Sequence, residues 1–315
     1  MKIIFDEARS ADIFYRCGFD SDTKCLYVED GSRRTLWVPG FEYYRALKEV
    51  KSCHVKELKE FKQALRTLKR VEVPPSFPLG VAKKLRRRPR IKKELIPERK
   101  FKSAREIRTI KDAQNVARST ISLVKKNLRV GVTSERLKEL ARGYMISKGF
   151  DCPDIIVSSG KQTGQPHNKG SGKIAGGPVI VDVFPRSDKT KYWGDMTRTF
   201  IIGKYTKAEK MLLAVKKVQR ECINMCTPGR KASAIHKHAV KRLEELGFQT
   251  MKGQGLVHAL GHGVGLDIHE GPSISPGDDS VLKKGMVLTI EPGLYYDIGV
   301  RWEDVVVVDK KPRII

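Results

Sequence analysis

Two stretches of the chain follow the same plan. From Ser103 a long amphipathic helical pattern runs to near Leu128, Gly131 interrupts it, a second helix begins at VTSERLKEL, and Gly149-Phe150 closes the stretch. Between residues 205 and 248 the plan returns, with KAEKMLLAVKKVQRECINM, then Gly229, a helix through KHAVKRLEEL, and Gly247-Phe248. Both copies read Gly, seventeen residues, Gly-Phe. Each copy is followed by two strand-like apolar runs: PVIVDVF and YWGDMTRTFII after the first, MVLTIEPGLYY and VRWEDVVVV after the second. A helix-helix-strand-strand unit used twice constrains the fold more than any composition figure, because the two copies must bury equivalent faces.

Each of the first two runs carries one aspartate, and each of the last two carries one glutamate. Asp182 and Asp195 stand thirteen positions apart in the first copy, and Glu291 and Glu303 twelve apart in the second. An ionised carboxylate among Val, Ile and Leu is costly, so each must be neutralised, paired or metal-bound. One such acid alone reads most simply as a strand end or an ion-pair partner; four at matched positions read as a set. The stretch GHGVGLDIHEGPSI adds His262 and, seven residues on, His269. Four carboxylates and one imidazole, without a thiolate, suit two divalent ions bridged by carboxylates: Mn²⁺ or Co²⁺ first, with Fe²⁺ and Zn²⁺ fitting the same donors. His262 is the expected ligand of the pair, and His269 is left free for chemistry.

The front of the chain differs. KCLYVED and RTLWVP read as short strands, and a helical stretch is expected from about Phe41 through Lys69, which together describe a small α/β domain. VEVPPSFPLG then leads into VAKKLRRRPRIKKELIPERKFK, where eleven Lys or Arg face only Glu94 and Glu98. The net charge of +26 raises the question of nucleic acid. The charge is concentrated in this run, which is expected to be a solvated basic connector with no specific nucleic-acid binding. No run approaches the roughly eighteen apolar residues of a spanning helix, and MKIIFDEARSADIFYRCG lacks the apolar core of a secretory signal. The expected setting is therefore the cytoplasm, without membrane insertion. The six cysteines have no metal-type or redox-type spacing and are expected to be reduced.

Taken in order, VIVD, GDMTRTF, GHGVGLDIHEGPSI, TIEPGLY and VRWEDVVVV resemble the pita-bread-fold metallopeptidases, a family comprising methionine aminopeptidase, aminopeptidase P, prolidase and the non-metal creatinase. ADIFYRCGF and LWVPGFEYYRAL resemble, more weakly, the amino-terminal domain of prolidase, aminopeptidase P and creatinase. The resemblance implies an α+β pita-bread catalytic domain with an internal pseudo-two-fold repeat over 103–315. With the basic run read from its composition as a linker over 81–102, the small α/β domain falls on 1–80. The family's five metal ligands fall on Asp182, Asp195, His262, Glu291 and Glu303. By the same resemblance Glu291 is the general base and later the proton donor to the leaving nitrogen, and His167, in QPHN, and His269 steady the tetrahedral intermediate. His258 stands four before His262, as in aminopeptidase P and prolidase, and with Arg301 is assigned to substrate binding. One departure is visible: the family's Asp-x-Gly at the first ligand reads Asp182-Val183-Phe184 here, and PRSDKTK is inserted before the next strand.

The resemblance implies hydrolysis of the bond between an amino-terminal residue and proline, in short peptides with proline second, by a homodimer. Methionine aminopeptidase is the alternative, and a non-catalytic protein- or RNA-binding member of the fold is the third reading. Arg301 favours the first, because methionine aminopeptidases have glutamine two residues before the last ligand, whereas prolidase and aminopeptidase P have arginine. His54, His236 and His238 are expected to be ordinary surface or core histidines.

Overall fold

The computed structural model describes residues 1–60, 65–66, 68 and 70–315, and the chain divides into two compact units, Met1–Arg99 and Lys100–Ile315. The first unit is a six-stranded sheet of order β4-β3-β2-β1-β5-β6. Its strands are β1 Lys2–Glu7, β2 Lys24–Asp30, β3 Arg33–Val38, β4 His54–Glu57, β5 Glu72–Val73 and β6 Arg90–Ile91, with helices α1 Ala11–Cys17 and α2 Gly40–Glu49. The runs KCLYVED and RTLWVP form the antiparallel pair β2 and β3, with Leu26 opposite Trp37.

The helix expected through Lys69 ends instead at Glu49, because Val50 turns to an extended conformation and residues 54–57 pair in parallel with β3. Ladder bonds and the Leu36–Val55 rung outweigh helical propensity there. Residues 61–64, 67 and 69 of that expected helix lie outside the described residues. Within the basic stretch 81–102, Val81, Leu85, Leu95 and Ile96 are buried and Arg90–Ile91 forms the edge strand β6. The stretch expected to be a connector is thus largely fabric of the first unit: four apolar side chains anchor it while the cationic chains of residues 83–93 stay solvated.

The second unit carries the duplication. In its first half, α3 Ala104–Asn127 starts at a capping box in which Ser103 and Glu106 satisfy each other's amide groups, and α4 Ser134–Ser147 starts at Thr133, whose hydroxyl accepts from Arg136 N–H. The helices cover an antiparallel sheet of order β11-β9-β8, made of β8 Ile155–Ser159, β9 Gly177–Val183 and β11 Met196–Ile202. A small pair, β7 Phe150–Asp151 with β10 Arg186–Ser187, takes up the start of the PRSDKTK insertion. Phe184 packs against Trp193, ring centroids 6.3 Å apart.

In the second half, α5 Thr206–Asn224 and α6 Ala232–Glu245 cover a sheet of order β13-β12-β14-β17-β18. Its strands are β12 Gly261–Gly263, β13 Glu270–Ile274, β14 Val287–Ile290, β17 Asp304–Val307 and β18 Arg313–Ile314, beside a hairpin of β15 Gly293–Tyr295 and β16 Gly299–Arg301. Each half has its own apolar core, one around Ala117, Val124, Val157 and Val181, the other around Val215, Ile235, Leu260 and Leu288. The two apolar runs of this half are not single strands: MVLTIEPGLYY breaks between β14 and β15 at Glu291-Pro292, and VRWEDVVVV breaks between β16 and β17 at Trp302-Glu303. Proline cannot donate to a ladder, which accounts for the first break.

Candidate metal centre

Four strand ends bring the acids together. Asp182 is the penultimate residue of β9 and Asp195 directly precedes β11, whose first residue Met196 pairs with Val183. Glu291 directly follows β14 and Glu303 directly precedes β17, where Ile290 pairs with Asp304. His262 comes from β12, the neighbour of β14, and its N–H donates to the Thr289 hydroxyl at 3.0 Å. That approach requires Gly261, since a Cβ there would lie 2.0 Å from the Thr289 carbonyl oxygen.

One donor atom each from Asp195, His262 and Glu303 lie within 4.8 Å of one another. His262 Nε2 stands 3.3 Å from Glu291 Oε1 and 3.6 Å from Asp195 Oδ2, while its Nδ1 faces the Gly263 carbonyl at 3.1 Å. If Nδ1–H donates to that carbonyl, the Nε2 lone pair faces the carboxylates, the usual arrangement of a ligating imidazole. Arg301 Nη2 donates to Asp182 Oδ2 at 2.5 Å, and the Thr197 hydroxyl gives its one proton to Glu303 Oε2 at 2.8 Å. Asp182, Asp195, Arg301 and Glu303 are all buried.

Burial, with the neighbouring acids, holds Asp195 and Glu303 far above the usual carboxylate range, and burial also raises Asp182 although Arg301 pulls it back. Burial acts the same way on Glu291, but the His262 hydrogen bond and charge prevail and bring it down to about 2. His262 is raised by Glu291 against its own burial. Such a group fits divalent cations: Asp182 Oδ1 is buried with no hydrogen-bond partner among the described residues, and two neighbouring acids resist ionisation without positive charge beside them.

The remaining expected residues surround this cluster. The His269 ring centroid lies 4.2 Å from that of His262, and His269 is exposed. His167 is exposed in a turn whose Pro166 carbonyl accepts from Arg301 Nη1 at 3.2 Å. His258 Nε2 lies 3.2 Å from the Tyr295 hydroxyl, which also accepts from Arg301 Nη1 at 3.1 Å. Burial lowers His258, and the partial desolvation of the His269 ring together with the neighbouring His262 lowers His269, favouring neutral rings. Of the histidines set aside, His236 is buried in α6 and His238 lies 3.0 Å from Glu221.

Sequence reasoning missed several residues here. Thr197 joins Arg301 to Glu303, and Tyr295 joins it to His258. Gln114 bonds the backbone of Asp195, and Gln219 bonds beside Glu291 and Glu303. A signal for the glutamines existed, since each interrupts the buried stripe of an amphipathic helix.

Residues 108–310 match Metallopeptidase family M24. Over 318 aligned residues the chain is 30% identical to the Xaa-Pro dipeptidase of Pyrococcus horikoshii, covering 96% of this chain and 89% of that protein. Among solved structures, the prolidase of P. horikoshii superposes with a TM-score of 0.91 at 28% identity, covering 99% of this chain and 92% of that one. The prolidase of Pyrococcus furiosus gives 0.90 at 27%, covering 99% and 95%. The α+β class and the pita-bread fold expected from the sequence are those of the structure.

Proposed function

The chain belongs to metallopeptidase family M24, and from that premise we propose that it hydrolyses the bond between an amino-terminal residue and proline, using two divalent ions. The observation that carries the reading is the convergence of Asp195, His262 and Glu303, with Glu291 against His262 and, beside them, Asp182 Oδ1, which has no hydrogen-bond partner among the described residues. These five residues would hold the ions, with Mn²⁺ or Co²⁺ the expected metals. When bound, divalent ions supply the Lewis acidity that makes water nucleophilic near neutral pH.

The chain's own groups do the rest. Glu291 takes the proton from the attacking water and returns it to the leaving prolyl nitrogen. His269, beside His262, and His167, on the turn held by Arg301, donate to the carbonyl as its oxygen gains charge. Arg301 fixes Asp182 through Nη2, Tyr295 through Nη1 and Thr197 through Nε, and so shapes the wall that includes His258. A substrate with proline second is supported by that arginine and by the relatives named as Xaa-Pro dipeptidase and prolidase. Dipeptides are the favoured length, and a homodimer in the cytoplasm is the working form.

The test is an assay of Mn²⁺-loaded protein on Ala-Pro, Ala-Pro-Ala and Met-Ala-Ser. Cleavage of the proline peptides is expected, with Ala-Pro fastest. Efficient methionine release with negligible cleavage at proline overturns the assignment.

A further inference from the structure

We propose that Gln114 and Gln219, one in each half of the repeat, are positioning residues for the metal centre. The proposal rests on the two-metal reading above. Both residues occur where the helical pattern calls for an apolar side chain. Gln114 sits on the stripe of Ile110, Ala113, Ala117, Ile121 and Val124 of α3 and is fully buried, and Gln219 sits among Val215, Val218, Cys222 and Ile223 of α5 and is 3% exposed. Leu or Met would serve packing there without desolvating an amide, so what each amide bonds to indicates its use.

Gln114 clasps the peptide of an expected ligand at two points. Its Nε2 donates to the Asp195 carbonyl at 2.9 Å and its Oε1 accepts from Asp195 N–H at 2.8 Å. The helix comes this close because residue 194 is glycine: a Cβ there would lie 2.7 Å from the carbonyl carbon of Ala113 and 2.9 Å from Gln114 N. Gln219 does comparable work in the other half with one amide group. Its Nε2 donates to the carbonyl of Ile290, which precedes Glu291, at 3.2 Å, and to Oδ2 of Asp304, which follows Glu303, at 2.9 Å. Asp304 is held from its other side by Arg198 Nη2 at 2.5 Å.

Three of the four carboxylates thus have their own or an adjacent residue tied to a buried glutamine, and the fourth, Asp182, is held by Arg301. Ligands carried at strand ends need such ties, because a strand end lacks the next rung of the ladder and metal–ligand distances tolerate only about 0.2 Å. The first helix of each half therefore both covers its sheet and sets the position of the acids its strands deliver.

Titration calorimetry with MnCl₂ on the metal-stripped full chain tests this without reference to turnover. Gln114→Met and Gln219→Met, which keep the volume and remove the amide, should each weaken Mn²⁺ binding about 10- to 100-fold. Thr120→Val is the control, since Thr120 is equally buried on α3 but its hydroxyl bonds only the Val116 carbonyl of its own helix, at 2.8 Å. It should alter Tm while leaving Mn²⁺ affinity at the wild-type value. Should a Met variant fail to fold, the Asn variant at that position keeps a buried amide but withdraws it, and the same loss of affinity is expected. Wild-type affinity in the variants at both glutamines, or an equal loss in Thr120→Val, overturns the proposal. Failure of the wild-type chain itself to bind Mn²⁺ overturns the two-metal reading and this proposal with it, and is seen before any variant is made.

Discussion

The two halves of the second unit solve one problem with different parts. In the first half the acids are aspartates, one of them inside β9, opposite Thr197 of β11. In the second they are glutamates, both just outside their strands, with Pro292 and Trp302 at the breaks. Asp195 also stands just before its strand, so the contrast is carried by Asp182, a shorter acid inside β9, and Glu291, a longer one just beyond β14. Duplication supplies the scaffold, and residue choice adjusts the reach. The halves are also tied across the centre, since Arg301 of the second holds Asp182 of the first and Thr197 of the first holds Glu303 of the second.

The largest effects come from removing a carboxylate from either half. Asp195→Asn and Glu303→Gln should each lose at least one metal ion and lower kcat/KM by about 10³-fold or more, and Glu291→Ala should be inactive. Chelation should abolish activity and Mn²⁺ or Co²⁺ should restore it; full turnover after verified metal removal would end the two-metal reading. The comparison of reach is broken most directly by exchanging lengths. Glu291→Asp and Asp182→Glu each displace a carboxylate by roughly 1 Å, for which a drop of about 10²-fold in kcat is expected. Wild-type rates in both exchange variants would mean that reach is not what distinguishes the halves.

The crossing bonds come next. Arg301 uses Nε, Nη1 and Nη2 on four partners, and a lysine can replace only one such fork arm. Arg301→Lys should therefore cost roughly 10-fold in kcat/KM, with metal content largely kept; unchanged kinetics on Ala-Pro would dismiss its positioning role.

Stability gives a smaller signal of opposite sign. Because burial raises Asp195 and Glu303 above their unfolded values, the metal-free fold is destabilised once pH exceeds the ordinary carboxylate range of about 4. That destabilisation disappears as pH falls below the unfolded value. Metal-free protein should accordingly gain Tm as pH drops from 7 toward 5, and Asp195→Asn should raise the metal-free Tm at pH 7 by about 2–4 °C per kcal/mol relieved. A thermal scan in which metal-free Asp195→Asn melts below wild type contradicts this account. The smallest effect is expected outside both halves: replacing the exposed Arg86, Arg87 and Arg88 of the first unit with glutamine should leave turnover unchanged and shift stability by less than about 0.5 kcal/mol. A salt-dependent RNA association lost in that variant would show that the basic run has a use of its own.

Much of the centre was legible because acids inside apolar runs break a local pattern that any reader of periodicity sees. Asp182, Asp195, Glu291 and Glu303 announce themselves in that way, His262 completes their donor set, and the family resemblance gave His167, His258 and His269 their roles. Gln114 and Gln219 broke a pattern too, but a glutamine is weaker as a marker than a carboxylate, and its partners lie 81 and up to 85 positions away. The expected helix of the first unit overran its end because amphipathic spacing does not register a neighbouring strand. The basic run read as a connector because its four buried apolar residues are outnumbered by charges.

What the sequence determined by itself was the kind and order of the groups: a scaffold used twice, two acids per copy and an imidazole between them, all set by periodicities of a few residues. What only the tertiary structure decided was how those groups reach and hold one another. It set the strand breaks at Glu291 and Glu303, the arginine crossing 119 positions to Asp182, and the helices that grip the backbone at Asp195 and Ile290. Contacts of that range follow from packing two sheets' worth of strand ends onto one small volume, and no local spacing encodes them.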